Sequence, residues 1–269
     1  MYDKDFRTIA EFMKSKYGVD LNDKEAVVQG RLMNLVVREG YNSYGDFIDD
    51  MFADKTGVME KQLVNVLTTN HTYFMREFEH FEFLREVILP ELKKSLQDTR
   101  DLRIWCGASS TGEEPYMIAM TILQFFGLEH SSWDTKVLAT DISTEALQTA
   151  IEGEYSGEMI EKLTDYWKRR FFKKGSFEGM YRVTDELKQE VIFRQFNLME
   201  DFPFRKKMHV IFLRNVMIYF DTDTKNKLMQ KVYDALAPGG YLIVGKTEAV
   251  DTAIIPFNMV SPSIFKKPL

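Results

Sequence analysis

One segment constrains this chain more than any other. Arg103-Ile104-Trp105-Cys106-Gly107-Ala108-Ser109-Ser110-Thr111-Gly112-Glu113-Glu114-Pro115-Tyr116 is followed by Leu138-Ala139-Thr140-Asp141-Ile142. The pattern predicts a short apolar strand, a turn of small residues, a helix with carboxylates in its first turn, and a second strand ending in Asp. That order is a βαβ unit of the kind that holds a nucleoside-bearing ligand at the carboxyl ends of parallel strands. Small residues in the turn let a ligand approach the backbone closely. Asp141 lies where an acidic side chain hydrogen-bonds ribose hydroxyls.

The charges around the turn choose between ligands. A phosphate-binding turn offers bare backbone N–H groups at the positive end of a helix. Here Glu113 and Glu114 occupy that helix start and would repel a pyrophosphate, and no Lys follows Gly112 as a Walker loop requires. A nucleoside with a cationic centre and an ammonium group fits better, which points to S-adenosylmethionine. The alternative for the pair of glutamates is that they simply complement the helix dipole.

Bulk properties narrow the classes further. At 269 residues, 45% apolar and 28% charged, the chain has the make-up of an ordinary globular protein with a sizeable core. A net charge of −6 argues against a general nucleic-acid binder. The single cysteine, Cys106, excludes a disulfide framework, and the four histidines show no metal-ligand spacing, so no metal site is expected. The N-terminus has no signal-peptide core and no apolar run approaches a membrane span, so a cytoplasmic protein is expected.

Residues 1–75 predict an all-helical domain. Phe6, Ile9, Ala10, Met13 and Tyr17 recur at helical spacing before Gly18. Asn22 or Asp23 is expected to cap a second helix ending at Gly40, Ser43 a third, and a fourth runs from about Val58 to Leu67. Lys24, Arg31 and Arg38, seven apart, share one face of the second helix. That face is either solvated or a docking patch for an acidic partner. Thr68 to Glu77 mixes polar and aromatic residues without period, as a connector lining a cleft would. A helix from about Glu79 to Leu96 follows.

Residues 76–269 predict an α/β domain. Arg103–Cys106, Val137–Thr140, Val210–Leu213 and Tyr241–Gly245 read as strands, Val191–Phe196 as another, and Ser143 as the cap of the helix after the second. About 169–195 breaks the alternation. A helical stretch near Glu158–Lys168 leads there to two short strands around a Gly-containing turn, a small inserted β-subdomain that is locally basic. It is either decoration or a partner-recognition element. Ala237-Pro238-Gly239-Gly240 predicts a tight turn, and Pro256–Lys267 a last edge strand closing the sheet through an antiparallel hairpin.

Taken together these residues resemble the CheR family, the chemotaxis receptor glutamate O-methyltransferases, over essentially the whole chain. Five motifs carry the resemblance in order. They are Thr68-Thr69-Asn70 with Phe74-Met75-Arg76-Glu77; Ser110 to Tyr116; Thr140-Asp141-Ile142; Asn197-Leu198; and Arg214-Asn215-Val216-Met217-Ile218-Tyr219-Phe220. The resemblance implies a Rossmann-like S-adenosylmethionine-dependent domain behind an all-α one. It implies that Asn70, Thr72 and Arg76 close over the cofactor and that Glu114 meets its methionine portion. Asp141 would hold the ribose, Asn197 and Leu198 would flank the adenine, and Arg214 and Asn215 would sit near the cofactor. Tyr219 would position the accepting carboxylate, with Arg76 as the other orienting group. His209 stands where the family usually has Asp, and Leu213 where it usually has Cys.

The implied reaction is methyl transfer from S-adenosylmethionine to receptor glutamates, giving methyl esters and S-adenosylhomocysteine. The partners would be cytoplasmic domains of methyl-accepting chemoreceptors, met through the Lys24, Arg31 and Arg38 face and the β-subdomain. Rival readings are a methyltransferase of another substrate, an adaptor that binds the cofactor without turnover, and a nicotinamide dehydrogenase. The last lacks a G-x-G-x-x-G turn.

Overall fold

A computed structural model describes all residues 1–269. The first four helices are α1 (Asp3–Tyr17), α2 (Glu25–Arg38), α3 (Tyr44–Ala53) and α4 (Val58–Leu67). They close around their own core, with Met13, Leu32, Phe47 and Leu63 fully buried. Gly18 ends α1 in the left-handed region at φ 72°, and the Ser43 hydroxyl accepts the Asp46 N–H to start α3. The second helix departs from expectation. Its flanking residue is Lys24, and neither Asn22 nor Asp23 caps it; Asn22 N–H instead donates to Asp20 Oδ1.

After the connector come α5 (Glu79–Phe83), a π-helical turn (Leu84–Ile88) and α6 (Leu89–Ser95), where one uninterrupted helix is predicted. Pro90 supplies the reason: it has no N–H for the Glu86 carbonyl, so the ladder widens before it.

The α/β domain holds β1 (Ile104–Gly107), α7 (Glu113–Phe126), β2 (Val137–Asp141) and α8 (Thr144–Glu152). An excursion follows, made of β3 (Glu154–Ser156), α9 (Gly157–Ile160), α10 (Asp165–Phe171), β4 (Phe172–Lys174), β5 (Met180–Val183) and α11 (Asp185–Lys188). The chain returns through β6 (Val191–Gln195), β7 (Met208–Leu213), α12 (Thr222–Ala235), β8 (Leu236–Val244), β9 (Asn258–Ser261) and β10 (Ile264–Lys266). The main sheet has the order β6-β2-β1-β7-β8-β10-β9, parallel from β6 to β8 and antiparallel at β10 and β9. Its central strands are buried along their whole length, as parallel strands covered on both faces must be. Side chains alternate between two cores: Ile104 and Cys106 pack on the α7 face, Trp105 on the α12 face.

Four further expectations are corrected. The inserted sheet has order β3-β5-β4 and so begins at Glu154, whereas the strand at Val191 pairs with β2 in the main sheet. A strand reached through a long excursion cannot be told by sequence from one inside it. The helical stretch near Glu158–Lys168 is split into α9 and α10. The segment through Pro238 and Gly239 belongs to β8, which absorbs it as an irregularity of register against β7, and the tail contributes two strands rather than one.

The strand order reverses between β1 and β7. In open α/β sheets the crevice beyond the carboxyl ends of two such strands is the binding position. Gly107 and Leu213, the last residues of β1 and β7, are register partners at its floor. A Cβ on Gly107 would lie 2.9 Å from Leu213 Cδ1 and 3.2 Å from the Trp105 ring, so a larger residue there would push side chains at the floor aside.

Candidate functional site

A cleft opens at this point. Its walls come from the connector, the turn after β1, the ends of β2 and β7, and the end of α1. Asn70, Thr72, Arg76, Glu114, Asp141, Asn197, Leu198, Arg214, Asn215 and Tyr219, separated by up to about half the chain, all line it.

The turn after β1 forms one end. Ala108 and Ser110 adopt φ 59° and 50°, and Gly112 φ 99°. A Cβ on Gly112 would meet the Ala150 Cβ at 2.8 Å and the Tyr155 hydroxyl at 2.9 Å, so glycine is required on both counts. Asp141, 6% exposed, fixes this turn: Oδ2 accepts the Ser110 N–H at 2.7 Å and Oδ1 the Ser143 N–H at 2.8 Å. Burial pushes its carboxyl up, and these backbone N–H bonds act in the opposite direction. The Ser110 hydroxyl donates to the Asn70 carbonyl at 3.0 Å, joining turn to connector.

The two helix-start glutamates part company. Glu113 is fully buried away from the cleft and accepts from the Thr111 hydroxyl at 2.7 Å. Glu114 alone faces the cleft, so the predicted repulsion of pyrophosphate rests on one carboxylate. Burial pushes the Glu114 carboxyl up, and the Arg214 guanidinium bonded to it pulls the other way.

Arg214 is 4% exposed as a residue and sits at the centre of the other end. Its Nη1 bonds Glu114, while Nη2 donates to Glu77 Oε2 at 3.1 Å and to the Arg76 carbonyl at 2.7 Å. Its guanidinium lies 5.4 Å from the Phe81 ring centre. Asn215, at φ 58°, is held by Glu248, which accepts the N–H groups of Asn215, Met217 and Gly245, each at 2.7 Å. Glu77 and Glu248 were given no role by sequence reasoning. Glu77 follows Phe74-Met75-Arg76 in the connector, whereas nothing in the sequence around Glu248 marks it.

The connector forms a wall over these groups. Arg76 donates from Nη1 to the His71 carbonyl at 2.7 Å and lies over the Tyr73 ring. Asn70 Nδ2 lies 3.4 Å from the Ser143 hydroxyl. The Asn197 amide serves as a domain tie: Nδ2 donates to the Lys16 carbonyl at 2.9 Å and Oδ1 accepts the Met199 N–H at 3.0 Å. Leu198 belongs to the apolar core beneath the cleft. The helical domain also contributes Tyr17 and Val19 to the lining, which the core-like helical pattern of α1 concealed. Val19 bridges to Phe220, and Asp20 N–H donates to the Tyr219 carbonyl at 2.8 Å.

The three basic residues of the second helix do not form one free face. Arg31 donates to the carbonyls of Leu67 and Thr68 at 3.0 and 3.1 Å and to the Thr69 hydroxyl at 3.0 Å, so its charge is turned onto the connector. Lys24, just before α2, lies 5.7 Å from the Tyr219 ring centre. Arg38 is exposed beside Glu39. His209, in the family's usual Asp position, accepts the Arg103 N–H at Nδ1 at 3.0 Å, and burial with the nearby Arg103 charge pulls its imidazole down to about 4.

The donor set suits a cationic nucleoside. A buried carboxylate ends β2, the neighbouring turn presents backbone and small side chains, and Ile142, Phe196 and Leu198 give apolar wall for a purine. A second carboxylate waits at the far end. Such a cleft at the switch point of this sheet defines an S-adenosylmethionine-dependent methyltransferase. Residues 70–265 match the model of the CheR methyltransferase, SAM binding domain, and residues 4–68 that of the CheR methyltransferase, all-alpha domain. The chain therefore belongs to the CheR methyltransferase family, with S-adenosylmethionine as cofactor and S-adenosylhomocysteine as product. It is 35% identical over 263 residues to a chemotaxis protein methyltransferase of Borreliella burgdorferi, covering 96% of this chain and 92% of the relative. It is 37% identical over 251 residues to chemotaxis protein methyltransferase 2 of Pseudomonas aeruginosa, covering 91% and 86%. The Salmonella typhimurium chemotaxis protein methyltransferase is 32% identical over 267 residues, covering 98% and 90%.

Proposed function

We propose that this methyltransferase esterifies glutamate side chains on the cytoplasmic domains of chemoreceptors. One observation carries the reading most: Arg76 and Tyr219, from the connector and from the segment after β7, line the same cleft as Asp141 and Glu114. A group entering between them would reach the cofactor site from the side of the helical domain.

When bound, S-adenosylmethionine supplies a sulfonium methyl group for a carboxylate oxygen to accept. Asp141 would hold the ribose hydroxyls with lone pairs its two backbone bonds leave free. Glu114 would meet the ammonium of the methionine portion, and Phe196 and Leu198 the purine. Asn70, Thr72 and Arg76 would close the connector over it. Asn197, Arg214 and Asn215 serve this site by fixing its walls. The accepting glutamate is already ionised near pH 7 and needs no general base. What the chain's residues supply is position: a tyrosine hydroxyl at Tyr219 orients the carboxylate without the strong ground-state grip of a bidentate arginine.

Receptor docking is assigned to the exposed face of α2 around Arg38 and to Lys24 beside Tyr219, with Arg31 acting through the connector. The inserted sheet, whose β4 carries Lys173 and Lys174, is the second assigned surface. The test is transfer of radiolabelled methyl from S-adenosylmethionine to receptor cytoplasmic fragments. Base-labile label released as methanol is expected; base-stable label, or none on any fragment, would overturn the reading.

A further inference from the structure

Glu77 lies in the connector and does not line the cleft, yet it is joined to Arg214 and Asn215 at its charged end. Its carboxylate accepts from Arg214 Nη2 at 3.1 Å, from Asn215 Nδ2 at 3.3 Å and from the Lys246 N–H at 3.3 Å. These partners come from the segments just beyond β7 and β8. Its backbone is in the left-handed region at φ 49°, two residues after Met75 at φ 69°. A non-glycine residue keeps that conformation only where its surroundings over-determine it.

We propose that Glu77 is a positioning residue for the cofactor's amino-acid group: it occupies one edge of Arg214 and so leaves the Glu114 carboxylate with charge to offer. This rests on the reading that the methionine portion lies on Glu114. The Arg214 side chain, 1% exposed, carries a single positive charge, and two carboxylates, each 14% exposed, share it. With both ionised, the trio holds one negative charge in excess, beside the cleft and largely shielded from water. A ligand bearing an ammonium group is drawn to that excess. With Glu77 uncharged, Arg214 would answer to Glu114 alone and cancel it. Burial works against the charge on Glu77, but Arg214 and the hydrogen bonds from Asn215 and Lys246 outweigh it and hold its carboxyl below the usual range. Arg214 Nη2 also carries the Arg76 carbonyl, so the same carboxylate sets where the connector enters the cleft.

The test titrates two ligands into the full chain by calorimetry. One is S-adenosylhomocysteine. The other is 5′-methylthioadenosine, which keeps the nucleoside and thioether but lacks the amino-acid group. Glu77→Gln is expected to weaken S-adenosylhomocysteine about tenfold or more, the scale of a hydrogen bond to a charged group, and methylthioadenosine less than about twofold. Glu114→Gln should do the same, and the double variant should be little worse than either single one, because both act on one charge. Glu77→Asp, which keeps the charge, should retain most of the preference between the two ligands. Equal weakening of both ligands by Glu77→Gln would make Glu77 a structural residue only and overturn the proposal. So would unchanged binding, or a Glu77→Asp variant that folds but loses the preference. An effect at Glu114 with none at Glu77 overturns this proposal alone. No effect at Glu114→Gln overturns the reading beneath it as well.

Discussion

The two ends of the cleft hold a carboxylate by different means. Asp141 is fixed by backbone N–H groups, Ser143 two residues on and Ser110 in the turn of the same βαβ unit. Glu114 is fixed by side chains: Arg214, one hundred positions away in sequence, itself held by Glu77. The first end is built from one supersecondary unit, and the turn and helix that surround it form together. The second exists only when the connector, β1, β7 and β8 are all in place. Local backbone support makes the Asp141 end tolerant of distant change, whereas the Glu114 end should fail when any one of these four segments shifts.

Substitutions at each end test that difference. Arg214→Ala should have the largest effect, since it leaves Glu77 and Glu114 facing each other with little solvent and no cation. Breaking a buried ion pair from one side costs about 3 kcal/mol or more, so the urea midpoint should fall markedly and S-adenosylhomocysteine binding should be lost. An unchanged midpoint would mean that the charged end is not needed to close the fold. Asp141→Asn should be milder for stability, because one backbone bond survives. Its affinity for S-adenosylhomocysteine should drop roughly tenfold to a hundredfold in calorimetry, as ribose hydroxyls lose an ionised acceptor.

Tyr219→Phe separates turnover from binding. It should lower kcat on a receptor fragment about tenfold and leave cofactor affinity unchanged, while parallel loss of both would place Tyr219 in the binding wall instead. Arg31→Gln is a smaller test with a specific sign. Because Arg31 bonds the connector, S-adenosylhomocysteine should bind roughly threefold more weakly even with no receptor present. A variant that alters only the Michaelis constant for receptor would return Arg31 to a purely docking role.

A separate effect concerns acid. Burial pulls His80 and His209 from an ordinary value of 6.5 down to about 4 in the fold. Between those values the unfolded chain binds more protons than the folded one. Stability from these groups is therefore full above about 6.5 and is lost as the pH falls towards 4. Urea midpoints measured at pH 7 and pH 5 should show the decline, and His209→Gln should flatten it. A profile unaffected by that substitution would contradict neutral burial at this site.

Legibility followed the same division. The βαβ unit, the Ser43 and Ser143 caps and the bounds of α4 were readable because each depends on residues within a turn or two of one another. All ten predicted site residues do meet in one cleft, yet their company was not foreseen. Asn197 turned out to tie α1 to the floor, and Arg31 to hold the connector, through carbonyls that no pattern of side chains advertises. Glu248 and Tyr17 were invisible for the same reason. The π-turn before Pro90 and the extent of the inserted sheet were missed where backbone continuity, set by tertiary pairing, overrode local pattern.

The division of the cleft is tested most directly by a crystal structure with S-adenosylhomocysteine bound. The ribose hydroxyls are expected on Asp141 and the ammonium on Glu114, with Glu77 held by Arg214, Asn215 and the Lys246 backbone, beside His80 and out of contact with the ligand. An ammonium placed away from Glu114, or a ribose that does not meet Asp141, would contradict it.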